Sequence, residues 1–338
     1  MNEPIRRGPS TVERIALKPL TASVLLALVV ASCANVDPAP TATADDELPA
    51  VGELSQNPTE INTLGQASEV AERNPAGLAP SSCDDIAALF VAGTSVNADL
   101  ADPESSAVCA DESVIISSNG IPDYTYIVTS PGAPNANDYT FTIPATPTMS
   151  ASTTDVPALG TAAVTLTGIP IYGPTEGTGG DVLSLGNLSD CGSHNGPTGF
   201  HLHLLGTSTT TDCLFTPGEV AAAPQLLGYA FDGYPIYSGN DQYTSSWELT
   251  DASLFATDTW SAHSYVAGSG DLDECNGLTD ASGNYAYYTT DTFPYVVGCY
   301  SGEVDLDAAG AGGGGGEAGG PGGGGGGGGG QGPPQGNG

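Results

Sequence analysis

Hydrophobic and polar positions alternate in short runs along the middle of the chain. The runs Ser113–Ser117, Tyr124–Thr129, Asp138–Ile143, Thr161–Thr167 and Asp181–Leu185 are rich in β-branched or aromatic residues. So are Phe200–Leu205, Leu227–Phe231, Pro235–Ser238, Tyr285–Thr290 and Tyr295–Tyr300, and Gly, Pro, Asn or Ser bounds each run. This pattern predicts strands. Helical signals are brief: Cys83 to about Ala92, with Asp84 and Asp85 well placed in a first turn, and one turn within Glu219–Leu227 around Pro224. The expected fold is all-β: a single disulfide-stapled, β-sandwich or barrel-like domain over residues 83–305, with few short helices.

The flanks read differently. A basic stretch (Arg6, Arg7, Arg14, Lys18) precedes an apolar run from about Leu20 to Val30, too short to span a bilayer. The run ends Val30-Ala31-Ser32-Cys33, which resembles the lipobox of bacterial lipoproteins, where the cysteine is diacylated and becomes the new N-terminus. Residues 1–32 are therefore expected to be a lipoprotein signal peptide and Cys33 a lipid anchor to the cell envelope, in the outer membrane; simple cleavage and release is the alternative. Residues 33–80, rich in Pro, Ala, Thr and acids, read as a disordered tether with a brief helix near Ala67–Arg73. Residues 306–338 read as a glycine-rich disordered tail.

Charge sharpens the picture. Two of the 39 acids and four of the five bases lie in residues 1–32, so beyond them 37 acids face one base, a net charge of −36. That surface excludes nucleic acid, and a membrane is reached through the lipid anchor alone. Its acidity fits solubility in a cation-rich medium and offers oxygen ligands for divalent cations. Of the seven cysteines, Cys33 is assigned to lipidation, and the even remainder in an exported chain suggests disulfides. Six cysteines allow 15 connectivities; pairing of sequence neighbours suggests Cys83–Cys109, Cys191–Cys213 and Cys275–Cys299.

The chain also repeats itself. Gly168-Ile169-Pro170-Ile171-Tyr172-Gly173 matches Gly233-Tyr234-Pro235-Ile236-Tyr237-Ser238, and Asp190-Cys191-Gly192-Ser193 matches Glu274-Cys275-Asn276-Gly277. Gly199-Phe200-His201-Leu202-His203 then matches Asn284-Tyr285-Ala286-Tyr287-Tyr288, and each copy closes with a second cysteine. The expectation is two packed β-units, about residues 160–215 and 226–302, with a disulfide in each. With Gly228-Tyr229-Ala230-Phe231-Asp232-Gly233-Tyr234-Pro235-Ile236-Tyr237, Leu272-Asp273-Glu274-Cys275-Asn276-Gly277 and Pro294-Tyr295-Val296-Val297-Gly298-Cys299, the segment from about 138 to 302 resembles the YHYH domain family of exported proteins. The resemblance implies a fold, not a reaction. In the Tyr-His-Tyr-His motif the first copy reads Phe-His-Leu-His and the second Tyr-Ala-Tyr-Tyr, which has lost both imidazoles.

Three of the four histidines (His194, His201, His203) lie within ten residues. On a strand, His201 and His203 share a face, with Phe200, Leu202 and Leu204 on the other. Two imidazoles from this pair and His194 from a loop make three nitrogen ligands for Zn or Cu, to which Asp190 or Asp232 adds an oxygen; Asp232 alternatively caps a turn. The competing reading has His201 and His203 hydrogen-bonded to backbone and carboxylates in the repeat interface. The run Asp271, Asp273, Glu274, Asn276 has the acid density of a Ca²⁺ loop but not EF-hand spacing, and a turn pinned by Cys275 with side-chain bonds from Asp273 and Asn276 competes with it. The many tyrosines read as core filler or as a glycan-binding surface. Nucleophile-elbow, His-Glu-x-x-His, phosphate-loop and dinucleotide signatures are all missing, and no lysine follows Lys18. The expected role is therefore a non-catalytic envelope protein that binds metal through His194, His201, His203 and Asp232. The alternatives are a metal-dependent or hydrolytic enzyme using the same residues, and a Ca²⁺-dependent adhesive module for a protein or glycan partner.

Overall fold

The computed structural model describes residues 82–310; the signal-like segment, Cys33, the tether and the chain from residue 311 lie outside the described residues. Helix α1 (Cys83–Ala87) leads into a three-stranded antiparallel sheet of β1 (Ser105–Ala110), β2 (Ser113–Ser118) and β3 (Tyr139–Pro144). After β4 (Met149–Asp155) come β5 (Thr161–Thr165), β6 (Pro170–Tyr172), β7 (Ser193–Gly196) and β8 (Gly199–Leu202). Helix α2 (Pro217–Ala222) precedes β9 (Leu226–Ala230), β10 (Pro235–Tyr237) and β11 (Trp247–Leu249). Helix α3 (Thr259–Ala262), β12 (His263–Tyr265), β13 (Gly277–Thr279), β14 (Tyr285–Tyr288) and β15 (Cys299–Gly302) complete the fold. It is mostly β-strand in several sheets, with three short helices. Among the described residues no sheet closes on itself, which corrects the barrel-like alternative. No helix described is long and apolar enough to cross a membrane.

Alternation builds the outer sheet. Val114, Ile116 and Ser118 of β2 and Tyr139, Phe141 and Ile143 of β3 face inward, and their neighbours face out or sit at the margin. Val114, Ile116, Phe141 and Ile143 join the same core as Val164, Leu227 and Tyr229 of the larger sheet and Phe231 in the turn after β9. Each such side chain contributes about 1.5–3 kcal/mol of burial. Strands β5 and β9 are buried at every position, as befits the middle of a sheet covered on both faces.

That larger sheet has eight strands in the order β13-β14-β10-β9-β5-β6-β8-β7. Read outward from the antiparallel β5–β9 pair, each side repeats one pattern: an antiparallel hairpin (β5–β6, β9–β10), a parallel neighbour (β8, β14), then an antiparallel edge (β7, β13). Ile171 pairs with Leu202 as Ile236 pairs with Tyr287. Ser193 faces Leu202 as Gly277 faces Tyr287. A local two-fold therefore runs through the Val164–Tyr229 pair and superposes the two sequence repeats. It also matches their special backbone positions: Gly168 and Gly233 have φ of 85° and 87°, Gly192 and Asn276 have φ of 79° and 69°.

Disulfides join Cys83 to Cys109, Cys191 to Cys213 and Cys275 to Cys299, over separations of 26, 22 and 24 residues. In the chain-entropy account, loops of this size contribute about 3 kcal/mol each.

Several expected elements differ. Tyr124–Thr129 forms no strand, because Thr125 N–H goes to the Asp212 carbonyl and Tyr126 N–H to the Asn97 side chain. Asp181–Leu185 is a turn, held by Asp181 Oδ1 accepting from Leu183 N–H. The helix expected around Pro224 lies earlier, started by the Thr216–Glu219 capping box. It ends at Ala223, which Pro224 holds extended at φ −166°, ψ 158°. The final strand begins only at Cys299, and β1, β4, β6, β7, β11, β12 and β13 went unforeseen, so His194, expected on a loop, lies on β7.

Candidate metal centre

The β7–β8 hairpin carries the histidines. His194 lies directly opposite His201 in the register, and His203 follows one pleat later. Gly196 makes room for them, because a Cβ there would stand 2.6 Å from Cε1 of His201. Beneath the hairpin Cys191–Cys213 ties down its approach, and Tyr172 of β6 stacks on the His201 ring at 4.0 Å between centroids. All three histidines are buried, at 2–5% exposure.

Their hydrogen bonds fix the ring chemistry. His201 Nδ1 lies 2.9 Å from the Gly199 carbonyl, and His203 Nδ1 lies 2.7 Å from the Gly173 carbonyl. A carbonyl only accepts, so each Nδ1 carries the proton and each neutral ring presents a bare lone pair at Nε2. Yet His201 Nε2 lies 3.1 Å from His203 Nε2 and 3.0 Å from His194 Nε2. His194 satisfies one of these contacts by donating from Nε2. The contact between His201 and His203 then remains lone pair against lone pair. Protonation would relieve it, but burial opposes the charge. It pushes His203 down to about 3 and His201 well below the usual histidine range, where the neighbouring imidazoles lower it further. Burial lowers His194 too, and the negative charge of Glu176 partly offsets this. A cation held by all three Nε2 atoms resolves the conflict. The Nδ1–carbonyl bonds are the orienting contacts that metal-binding histidines make. Tetrahedral Zn²⁺ with Zn–N near 2.0–2.1 Å separates its ligands by about 3.3 Å, so the spacings from His201 to His194 and to His203 need to open by only a few tenths, and the ligand nitrogens of all three rings lie within 4.8 Å of one another.

A carboxylate stands beside His194, outside the cluster the three imidazoles form. Glu176 Oε1 is buried without a hydrogen-bond partner and lies 3.7 Å from His194 Nε2. The loop leaving β6 places it there, three residues beyond the carbonyl that orients His203. The sequence reading overlooked this residue.

Residues 140–302 match the family model described as YHYH protein. The chain carries a YHYH domain. No curated protein and no solved structure matches the chain.

Within the YHYH domain the remaining candidates fall elsewhere. Asp232, expected at the histidines, is fully buried under the second repeat. It accepts from Tyr287 Oη at 2.5 Å, Gly302 N–H at 2.9 Å and Tyr234 N–H at 3.3 Å. Burial raises its pKa, and these donors oppose the rise. Its role is to close polar contacts among β9, β14 and β15. Asp190 is exposed and outside the histidine cluster.

The acidic run forms no common cradle. Asp271 Oδ2 accepts from Thr244 N–H and Oγ1–H, and Asp273 Oδ1 accepts from Cys275 and Gly277 N–H. Asp273 Oδ2 accepts from Tyr285 Oη, while Asn276 Nδ2 donates to Tyr288 and Val296 carbonyls and to Thr290 Oγ1. Glu274 lies near Cys275 and Cys299, but their sulfurs are spent in a disulfide. The fourth histidine, His263, stacks on Phe293 at 4.1 Å and contacts the Thr259 carbonyl through Nδ1 at 2.8 Å.

Proposed function

We propose that this YHYH-domain protein is an exported, lipid-anchored envelope protein that binds one Zn²⁺ or Cu²⁺ ion through Nε2 of His194, His201 and His203, with Glu176 as the fourth ligand. The carrying observation is the 3.1 Å approach of two Nε2 atoms whose Nδ1 protons are both committed to carbonyls. Three nitrogens and a carboxylate oxygen suit these borderline ions. The role is non-catalytic. A buried donor set that a protein carboxylate, Glu176, would complete matches metal sites that hold a fold together, whereas catalytic sites keep a position for water or substrate. Export is supported by the signal-like N-terminus with its lipobox-like Cys33 and by the three disulfides of the described domain.

The enzymatic alternative loses its carboxylate, because Asp232 is held by Tyr287, Gly302 and Tyr234. The Ca²⁺ reading is weakened in the same way by the donors on Asp271 and Asp273. The test is elemental analysis of protein purified from its native envelope without chelator, beside a His201→Ala/His203→Ala variant. The expected result is one equivalent of Zn or Cu in the wild type and none in the variant. Wild-type protein that neither retains nor takes up either ion sinks the proposal.

A further inference from the structure

The local two-fold puts a second position in the sheet equivalent to the histidine site. Following the register, Tyr237 is the counterpart of Tyr172, Ala286 of His201, Tyr288 of His203 and Leu278 of His194. The second copy therefore has no imidazole to offer a metal. It has instead a cleft of about 800 Å³, within the range of small-molecule sites, and Tyr237, Ala286 and Tyr288 all line it. Replacing a ring by the Ala286 methyl opens space, and the tyrosines clad what is opened. Tyr288 packs against Tyr237 and Tyr243 at 6.0 and 4.5 Å between centroids.

Three observations define the ligand. No Lys or Arg occurs anywhere in residues 82–338, so the walls present no cation to attract an anion. Tyrosine rings give flat apolar faces with polar edges, and exposed Asn284 adds an amide oxygen at the rim beside Asp280, whose carboxylate accepts from Ser282 and Asn284. Tyr229, only 2% exposed, also lines the cleft, and its hydroxyl has no hydrogen-bond partner. A buried hydroxyl with its hydrogen bond unspent is costly unless something binds there. A sugar ring has the matching chemistry: C–H faces that stack on tyrosine, and hydroxyls that both donate and accept. We propose that this cleft binds a neutral oligosaccharide, stacked on Tyr237, Tyr243 and Tyr288. The proposal does not rest on the metal reading, since it uses the copy that lacks the histidines.

The test is calorimetric titration of the full chain with chitohexaose, cellohexaose and maltohexaose, with a proline-rich decapeptide as comparison. Saturable binding of at least one hexaose is expected. It should weaken at least about tenfold in both Tyr243→Ala and Tyr288→Ala, as for truncation of a stacking anchor, and stay unchanged in His201→Ala. Tyr243 and Tyr288 are partly exposed. Asn284→Ala, at the exposed rim, supplies a variant whose folding is not at stake and is also expected to weaken binding. Failure of all three sugars, binding of the peptide alone, or sugar binding that survives both tyrosine substitutions overturns the proposal. A His201→Ala effect equal to the tyrosine effects would also overturn it, by moving the site to the first copy.

Discussion

Removing His203 separates what the metal does for the fold from what the imidazole does by itself. In metal-free protein, His203→Ala deletes the donor to the Gly173 carbonyl and leaves a space where a fully buried ring stood. An unpaired buried carbonyl costs about 1–3 kcal/mol, and a cavity adds to that. The metal-dependent part is set by mass action. An ion bound to the native state alone stabilises by about 4.1 kcal/mol at a free concentration a thousand times its Kd. In a domain of this size each kcal/mol moves Tm by about 2–4 °C, so chelation should lower the wild-type Tm by about 8–16 °C. The His203→Ala protein should start lower and respond little to chelator or to added Zn²⁺. Differential scanning calorimetry with EDTA, then with Zn²⁺ or Cu²⁺ in excess, measures both quantities. A wild-type Tm indifferent to chelator and to both ions would refute the argument from opposed lone pairs.

Other consequences are equally direct. Glu176→Gln keeps the shape but removes the charge, so Zn²⁺ or Cu²⁺ affinity, read by competition with a chromophoric chelator, should fall about tenfold to a hundredfold with little change in metal-free Tm. Because burial raises the Asp232 pKa, the folded state holds its proton more tightly than the unfolded chain. Its contribution is then fully present below the unfolded value near 3.9 and is lost as pH rises through the folded one. Urea denaturation should therefore show wild type gaining on Asp232→Asn between pH 7 and pH 4, and a constant difference would contradict this. Removing the third disulfide by Cys275→Ala/Cys299→Ala should cost about 2–4 kcal/mol and lower the urea midpoint accordingly.

Much of the architecture was legible because alternation reports which side of a strand is buried. Strands β2, β3, β5, β8, β9, β10 and β14 start within a residue of the expected runs. The internal repeat carried more than element positions, since its alignment of His201 with Ala286 and of Cys191 with Cys275 is the alignment the sheet register produces. What escaped were contacts that depend on distance in space. Asp232 looked like a partner for the histidines because it lies in a turn of the second repeat, but the sheet carries it toward Tyr287 and Gly302 instead. Glu176 was passed over in a loop of Gly, Pro and Thr with no periodicity to mark it. One signal was available. The offset that aligns Gly173 with Ser238 aligns Glu176 with Asp241, so both copies place an acid there. The run Tyr124–Thr129 shows the same limit, because β propensity cannot tell a strand from an irregular segment whose backbone bonds to side chains.

The two-fold seam at Val164 and Tyr229 has the geometry of a homodimer interface, in which one edge strand pairs with its own copy across the axis. In an assembly of two identical chains every substitution appears in both subunits, so neither site can change alone. Joining both units in one polypeptide removes that constraint. One half can keep a full set of imidazoles while the other exchanges them for Ala286 and Tyr288, without the sheet between them losing a strand.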